Sequence, residues 1–256
     1  MGAGALAGRT VLVTGASKGI GAATARLLLE RGAHVVAQFG SDRAGAEAAV
    51  AASPERARLI SADFSDPAAA DALFDEAAGW RGGVDALVAN AAVMRAAGGV
   101  EDPIEAWDAV WDEAIRINLL APARLMRCAV RHYLERGGGV LVTLSSWVVH
   151  RGSSFPGGLA YAGTKSAAAA VTKTLARAYA RRGVLAYLVA PGVVRTRMSE
   201  LTAETLGGEE AVTAGLAMGE WVPPEEVAEV VAFLATGRVR HLSGATLDVT
   251  GASYLR

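Results

Sequence analysis

The sequence predicts an α/β fold in which one doubly wound parallel sheet of about seven strands is covered by helices on both faces. Short apolar segments alternate with helical patterns along the whole chain, which is typical of such a sheet. The chain has 256 residues, 52% of them hydrophobic, which is enough to bury a large core. No linker, repeat or low-complexity segment divides it, so we expect residues 1–256 to form a single domain.

Composition and charge exclude several classes of function. The net charge is −1 and no basic patch appears, so neither nucleic acid nor a membrane surface is an expected partner. No run of about 18 apolar residues is present to span a bilayer. The start of the chain lacks a signal-peptide pattern, and Met1-Gly2 is followed by Leu6 where myristoylation favours Ser or Thr. The single cysteine, Cys128, is interpreted as a packed helix residue and suits a reducing cytoplasm.

A glycine-rich turn joins the first predicted strand, residues 10–14, to a helix that ends at Gly32. Small residues in such a turn let the backbone approach a pyrophosphate, and the helix N-terminus supplies N–H donors and positive potential. The alternative, a plain strand-to-helix turn, is less favoured in this context. The glycine spacing, Gly-x-x-x-Gly-x-Gly, differs from the Gly-x-Gly-x-x-Gly of long-chain dehydrogenases. The predicted cofactor-binding residues of this turn are Gly15, Ser17, Lys18, Gly19, Ile20 and Gly21.

The second predicted strand, residues 34–38, ends where the adenosine ribose of a dinucleotide would lie. NAD-binding proteins usually place Asp or Glu there to hold the ribose hydroxyls. Here Gln38 and Phe39 take the position, and neither is acidic. This difference favours NADP(H) over NAD(H).

Residues expected to lie near the adenosine ribose support the same preference but leave an alternative open. Lys18 and Arg43 are available to meet a 2′-phosphate, with Ser41 as a further donor. A small error in register would instead make Asp42 the ribose ligand and favour NAD(H).

The next two predicted strands, residues 58–62 and 84–89, also end in candidate binding residues. Asp63, followed by Phe64, can bond an adenine amino group, or it can act as a cap. Small residues after the second of these strands would let a cofactor lie across the strand tip. The residues at that tip are Asn90, Ala91 and Ala92. Between the two strands, Asp66-Pro67 predicts a helix start.

A long helix is predicted over residues 115–136, and it carries Asn118 among apolar neighbours. A buried amide needs hydrogen-bond partners. Asn118 either bonds a main-chain carbonyl or holds a water near the active site. Trp107 and Trp111, which precede it, are interpreted as packing residues.

The stretch from Val140 to Ala168 organises the chain. An apolar strand ends at Ser145-Ser146, and Tyr161 and Lys165 follow on a helix. Tyr161 and Lys165 are four residues apart and therefore share a helix face. A Ser hydroxyl can bond a substrate carbonyl, the phenol can donate a proton to it, and the ammonium would lower the phenol pKa.

The last third of the chain completes the predicted site. A strand over residues 184–190 ends in Pro191-Gly192, and Thr196 can bond a nicotinamide carboxamide. Residues 199–222 have weak periodicity and are predicted to form a mobile loop that covers the substrate. Pro223-Pro224 predicts a further helix start, and the last strand is predicted over residues 245–249.

Taken in order, these motifs strongly resemble the short-chain dehydrogenase/reductase family, from about Gly8 to the end. The residues that carry the resemblance are Thr14 to Gly21, Asp63, Asn90-Ala91-Ala92, Asn118, Ser145-Ser146, Tyr161, Lys165, Pro191-Gly192 and Thr196. Within the family, the pattern is most similar to reductases of 3-oxoacyl or polyketide-type carbonyls. The resemblance implies a Rossmann-type fold and a homotetramer or homodimer.

The resemblance also implies roles for individual residues. Tyr161 would be the proton donor, Ser146 would position the carbonyl, Lys165 would hold the nicotinamide ribose, and Asn118 would anchor a relay water. No metal is expected. The remaining cofactor contacts that we expect are Asn90, Ala91, Pro191, Gly192, Val194 and Thr196, in addition to Tyr161 and Lys165.

The chain departs from the family pattern at three places. Ala92 replaces a usual Gly, and the ending from Asp248 lacks the usual Asp-Gly-Gly. The connection over residues 147–160 is longer than usual, which leaves open whether Ser145 or Ser146 is the catalytic serine. Four side chains of this connection are expected to border the substrate pocket: Trp147, His150, Arg151 and Phe155.

We therefore expect an NADP(H)-dependent reductase of a small-molecule ketone, or a dehydrogenase of the corresponding alcohol. An NAD-dependent alcohol dehydrogenase is the nearest alternative. A non-catalytic cofactor-binding protein is a remote one, because Tyr161 and Lys165 are both present.

Overall fold

The computed structural model describes residues 4–255, so the expectation about Met1-Gly2 falls outside the described residues. The fold contains one seven-stranded sheet, and all its strand pairs are parallel. The strands are β1 (Thr10–Val13), β2 (His34–Phe39), β3 (Ala57–Ser61), β4 (Ala86–Ala89), β5 (Gly139–Leu144), β6 (Val184–Pro191) and β7 (Thr246–Val249). The predicted fold class is confirmed.

The strand order is β3-β2-β1-β4-β5-β6-β7. β2 and β3 lie on one side of β1, and β4 to β7 follow in order on its other side. β1 and β4 are neighbours, with Val13 paired to Val88 near their carboxyl ends. In open sheets of this kind, ligands bind at the strand ends where the order reverses. The fold therefore places a binding crevice after Val13 and Ala89.

Helices cover both faces of the sheet. They are α1 (Gly19–Glu30), α2 (Arg43–Val50), α3 (Ala69–Gly79), α4 (Ile104–Ala114), α5 (Ala121–Arg136), α6 (Val148–Arg151), α7 (Leu159–Tyr179), α8 (Arg197–Thr205), α9 (Glu209–Ala214) and α10 (Pro224–Ala235). Alternate residues of one strand enter different cores, because successive side chains point to opposite faces. In β1, Val11 and Val13 pack with α1 and α10, whereas Leu12 packs with α3 and α5.

Three predicted elements differ from the structure by more than the one or two residues that separate the strand bounds. α3 begins at Ala69 and not after Asp66-Pro67, because the Asp66 carboxylate accepts the Ala68 N–H at 2.9 Å and forms a separate turn. The predicted helix over residues 115–136 opens with a π-helical segment, Ile115–Leu120, continuous with α4 and α5. The predicted loop over residues 199–222 contains most of α8 and all of α9.

Within residues 4–255, no helix has the length and apolar character that crossing a bilayer requires. In the same part of the chain, no three His, Cys, Asp or Glu side chains converge in a way that could hold a metal ion. The Cys128 thiol on α5 is half-buried and donates a hydrogen bond to Asp71 at 3.4 Å.

Candidate active site

A cleft of about 750 Å³ opens at the carboxyl ends of the central strands. The glycine turn, the ends of β2 to β6, the start of α7 and one face of α8 all contribute to its lining. The cleft lies where the reversal of strand order predicts a ligand site.

The glycine turn is held closely against α1. A Cβ at Gly21 would lie 2.0 Å from the Gly15 carbonyl oxygen, so only glycine fits there. Gly21 therefore lies behind the turn, while the other predicted turn residues line the cleft: Gly15, Ser17, Lys18, Gly19 and Ile20. The Lys18 side chain does not cap α1, which leaves the first N–H groups of the helix available to an anion.

Gln38 has a structural role that the sequence did not indicate. Its buried side chain accepts the Gly15 N–H at 2.8 Å and donates to the Ala62 carbonyl oxygen at 2.8 Å. It thereby ties the glycine turn to the end of β3. An amide in an otherwise apolar strand was the available signal, because a buried polar group needs partners.

The region predicted to bind the adenosine ribose carries both signs of charge. Lys18, Ser41 and Asp42 line the cleft, whereas Phe39 is buried in the core. The Asp42 carboxylate caps α2 by accepting the Gly45 N–H at 2.9 Å. Arg43 lies outside the cleft lining, and its Nε donates to Glu47 at 2.8 Å.

Asp63 and Phe64, which are predicted to lie near the adenine, both line the cleft. Asp63 is exposed and its Oδ1 accepts the Ser65 N–H at 2.9 Å. That hydrogen bond lowers the pKa of Asp63, so the carboxylate is ionised at neutral pH. Phe64 is buried, with one edge reaching the cleft.

Asn90 joins the ends of β1 and β4. Its Nδ2 donates to the Thr14 carbonyl oxygen at 2.8 Å, and its main-chain N–H donates to the Thr14 hydroxyl at 2.9 Å. Ala91 donates its N–H to the same hydroxyl at 3.0 Å. These contacts hold Asn90, Ala91 and Ala92 in the lining at the middle of the cleft.

Asn118 lies in the π-helical segment and is buried. Its Oδ1 accepts the Val93 N–H at 2.8 Å, and its Nδ2 donates to the Val93 carbonyl oxygen at 2.9 Å. The Nδ2 also donates to the Thr164 hydroxyl at 3.2 Å. Of the two roles considered for Asn118, the structure shows the main-chain contact, which fixes the segment after β4 beside α7.

Ser146, Tyr161 and Lys165 converge in the cleft. The Ser146 side chain lies beside the Tyr161 phenol and lowers its pKa, and the Ser146 Oγ accepts the Val148 N–H at 3.4 Å. The Lys165 ammonium is 5.7 Å from the centre of the Tyr161 ring and donates to the Leu144 carbonyl oxygen at 2.7 Å. The Ser145 hydroxyl is buried and has no hydrogen-bond partner among the described residues. Of the two serines, Ser146 is therefore the one in contact with the phenol.

Burial controls the protonation of the two titratable residues. It raises the pKa of Tyr161 to about 12, with the neighbouring Ser146 side chain acting in the opposite direction. It lowers the pKa of Lys165 to about 8. The expected lowering of the phenol pKa by the ammonium is not seen here: burial raises this pKa, and the group that opposes the rise is Ser146. At neutral pH the phenol is protonated and able to donate.

The segment after β6 supplies the other end of the lining. Pro191, Gly192, Val194 and Thr196 all face the cleft, as predicted. The Thr196 hydroxyl caps α8 by accepting the Ser199 N–H at 3.4 Å. A Cβ at Gly19 would lie 3.0 Å from the Thr196 methyl group, so the glycine turn and the start of α8 approach closely.

The connection between Ser146 and Tyr161 does not contribute the four side chains that we expected. His150 stacks on Tyr254 with ring centres 6.2 Å apart, and Arg151 lies over Trp147 at 4.4 Å. The cleft lining therefore contains none of the four expected side chains, Trp147, His150, Arg151 and Phe155. The short helix α6 directs the connection towards the C-terminal segment. Residues that the sequence did not indicate line the cleft instead: Met94, Arg95, Ala96 and Ile117. Met198 and Leu201 also line it, and they come from the region predicted to cover the substrate.

A doubly wound sheet with Ser, Tyr and Lys at its carboxyl edge defines an oxidoreductase that acts on hydroxyl or ketone groups. A family model described as enoyl-(acyl carrier protein) reductase matches residues 15–251. The chain belongs to the short-chain dehydrogenase/reductase family and resembles its 3-oxoacyl reductases.

Relatives match over nearly the full length. A 3beta-hydroxysteroid dehydrogenase 1 of Eggerthella lenta is 39% identical, with 98% of this chain and 95% of that protein covered. A 3-oxoacyl-[acyl-carrier-protein] reductase of Vibrio cholerae is 33% identical, with 98% and 99% covered. The crystal structure of a short chain dehydrogenase from Burkholderia cenocepacia in complex with NADP is 31% identical. Its TM-score is 0.86, and 97% of this chain and 98% of that chain are covered.

Proposed function

We propose that the protein is an NADP(H)-dependent oxidoreductase that reduces a ketone to a secondary alcohol, or catalyses the reverse reaction, with Tyr161 as general acid or base. The observation that carries this proposal is the Tyr161 phenol beside the Ser146 side chain, above a buried lysine. A non-catalytic cofactor-binding protein has no need of this arrangement.

The chain's own residues have distinct tasks in this reaction. Tyr161 donates its proton to the carbonyl oxygen during reduction, and Ser146 donates a hydrogen bond that orients the same oxygen. Lys165, whose ammonium donates to the Leu144 carbonyl oxygen, would bind the nicotinamide ribose. Asn118 fixes the substrate-side segment through Val93. The nicotinamide group, when bound, supplies or accepts the hydride.

The residues present fit a dinucleotide. Gly15 and Gly19 bring the main chain to the cleft, and the N-terminus of α1 has no acidic residue in its first turn. Lys18 and Ser41 line the ribose region, and an exposed i,i+4 pair such as Arg43–Glu47 contributes only about 0.3–0.5 kcal/mol. Arg43 can therefore leave Glu47 for a 2′-phosphate. The Burkholderia cenocepacia relative is in complex with NADP, which supports the same preference.

NAD-dependent alcohol oxidation is the second candidate, and one observation favours it. Asp42 lines the cleft with an exposed carboxylate, which is the chemistry that holds ribose hydroxyls and repels a 2′-phosphate. The variant Asp42→Asn separates the two candidates. It should weaken NADH binding if Asp42 binds the ribose, and it should leave or improve NADPH binding if Lys18 binds the phosphate.

We also propose a homotetramer or homodimer in the cytoplasm. Exposed apolar side chains support self-association: Ile104 on α4, Leu120 in the π-helical segment and Leu159 on α7 are 63%, 44% and 39% exposed. Mass determination in solution tests this, and a monomer at micromolar concentration would contradict it.

Thermal unfolding with NADPH, NADP⁺, NADH and NAD⁺ in parallel tests the proposed function. A cofactor at about 100 times its dissociation constant should add about 2.7 kcal/mol of stability. Stabilisation by the phosphorylated pair, followed by turnover of a ketone panel with NADPH, would support the proposal. Stabilisation by NADH and NAD⁺ alone would transfer the assignment to the NAD-dependent candidate. No shift with any of the four would overturn both.

A further inference from the structure

The part of the cleft beside Tyr161 has a mainly apolar wall. Asn118 joins Val93 to Thr164, whose hydroxyl donates to the Tyr161 carbonyl oxygen at 3.1 Å, so the segment after Val93 lies next to the catalytic residues. α8 covers the cleft from the side of β6. The apolar side chains of this wall are Val93, Met94, Ala96, Ile117, Met198 and Leu201.

The two arginines of the same wall already have acidic partners, whereas the Lys165 ammonium beside Tyr161 is held by the Leu144 carbonyl oxygen. Among the residues that the structure describes, two arginines line the cleft, Arg95 and Arg197. The Arg95 Nε donates to one carboxylate oxygen of Glu113 at 2.7 Å, and its Nη2 donates to the other. Arg197 pairs with Glu200 at 3.4 Å. The charge of each arginine is balanced by its partner, and the Arg95–Glu113 pair, with two contacts, is harder to open than the single contact of Arg43 with Glu47.

One acidic side chain makes this wall still less favourable for an anion. Glu204 on α8 lines the cleft, is exposed, and has no ion-pair partner within residues 4–255. An anionic group at this wall would meet neutralised arginines, one unpaired carboxylate and apolar surface. Each of these disfavours a charged oxygen, since an ion taken from water needs a compensating partner.

We infer that the substrate is an uncharged, apolar ketone or secondary alcohol, and that the Arg95–Glu113 pair selects against substrates that carry a carboxylate near the reacting carbon. This inference rests on the proposed function, because it concerns the carbonyl that Tyr161 protonates.

Matched acid and ester probes test the inference. The probes are 4-oxocyclohexanecarboxylate and 5-oxohexanoate, each compared with its methyl ester, with saturating NADPH (or NADH, if that is the cofactor that binds) at neutral pH. We expect kcat/KM to be at least about tenfold higher for both esters, because the carboxylate loses its hydration without gaining a cation. Equal or higher values for the acids would overturn the inference and leave the proposed function standing. Turnover of none of the four would count against the proposed function and the inference together.

The variant Glu113→Gln tests the role of the pair. It frees Arg95, so the ester-to-acid ratio of kcat/KM should fall about fivefold or more. Both probes are measured on the same preparation, so the ratio does not depend on how much of the variant is folded. Glu209→Gln is the matched control, since Glu209 pairs with Arg195 at 2.8 Å outside the cleft lining and should leave the ratio unchanged. An unchanged ratio in Glu113→Gln would show that the pair does not select against anions.

Discussion

The two ends of the cleft are built differently. At the catalytic end, Asn118, Ser146 and Lys165 are 2%, 7% and 5% exposed. Asn118 and Lys165 are held by main-chain atoms at 2.7–2.9 Å. At the ribose end, Lys18 and Asp42 are exposed, and neither is held by a buried partner.

This difference separates the determinants of chemistry from those of cofactor choice. A buried polar group with main-chain partners has a single geometry, which proton transfer requires. An exposed charge moves easily and is replaced at little cost to stability. The fold therefore determines the geometry of the catalytic residues more tightly than it determines which cofactor binds.

The largest effect is expected at the catalytic end, from Tyr161→Phe. It removes the proton donor and keeps the ring packed near Lys165. General acid–base groups contribute about 10²–10⁴-fold, so we expect kcat to fall about 10³-fold with a small change in KM. Steady-state kinetics at neutral pH and the midpoint of thermal unfolding measure this. A fall in kcat below tenfold in a folded variant would show that another group protonates the carbonyl.

The second prediction concerns the pH dependence of stability. The pKa of Lys165 is lowered from 10.5 to about 8 by burial, so the unfolded chain binds more protons between these values. The free energy of unfolding of the cofactor-free protein should therefore rise with pH in this window. The Lys165 contribution grows by roughly 2 kcal/mol between about pH 7.5 and about pH 9.5.

The variant Lys165→Met isolates that contribution. Burial raises the pKa of Cys128 to about 11, so the Cys128 contribution to the free energy of unfolding falls as the pH rises above about 9. This contribution is common to wild type and variant and cancels in the comparison. Urea unfolding at the two pH values should show wild type gaining roughly 2 kcal/mol relative to the variant. The same pH slope in both would mean that Lys165 is not desolvated.

Much of the fold and of the catalytic end could be predicted from the sequence, because their signals are local. Apolar strands alternate with helical patterns, and Tyr161 and Lys165 meet by the i,i+4 spacing of one helix. The main-chain partners of Gln38 and Asn118 could not be predicted. Their partners, Ala62 and Val93, are 24 and 25 residues away and meet them only in the folded chain.

The ribose end was harder to predict for a different reason. Arg43 was expected to face the cofactor, yet the structure places it on α2 against Glu47. Arg43 and Glu47 are four residues apart, so a helix through both positions brings the two side chains together. Glu47 therefore competes with the cofactor for Arg43. The partner of an exposed arginine depends on which ligand is bound, and a sequence alone does not specify the bound ligand.

The smallest effects are expected at the ribose end, where Lys18→Ala and Arg43→Ala form a matched pair. Lys18 lines the cleft and Arg43 does not, although both are exposed. Loss of one charge-assisted contact costs about 1.4 kcal/mol, so Lys18→Ala should weaken NADPH binding about tenfold. We expect Arg43→Ala to weaken it by no more than about threefold, since leaving Glu47 offsets part of the gain. NADH binding, measured by calorimetry in parallel, should change little in either variant. A larger effect of Arg43→Ala on NADPH binding alone would contradict this expectation. It would mean that α2 turns Arg43 into the cleft when NADPH binds. The geometry of the ribose end would then be as specific as that of the catalytic end.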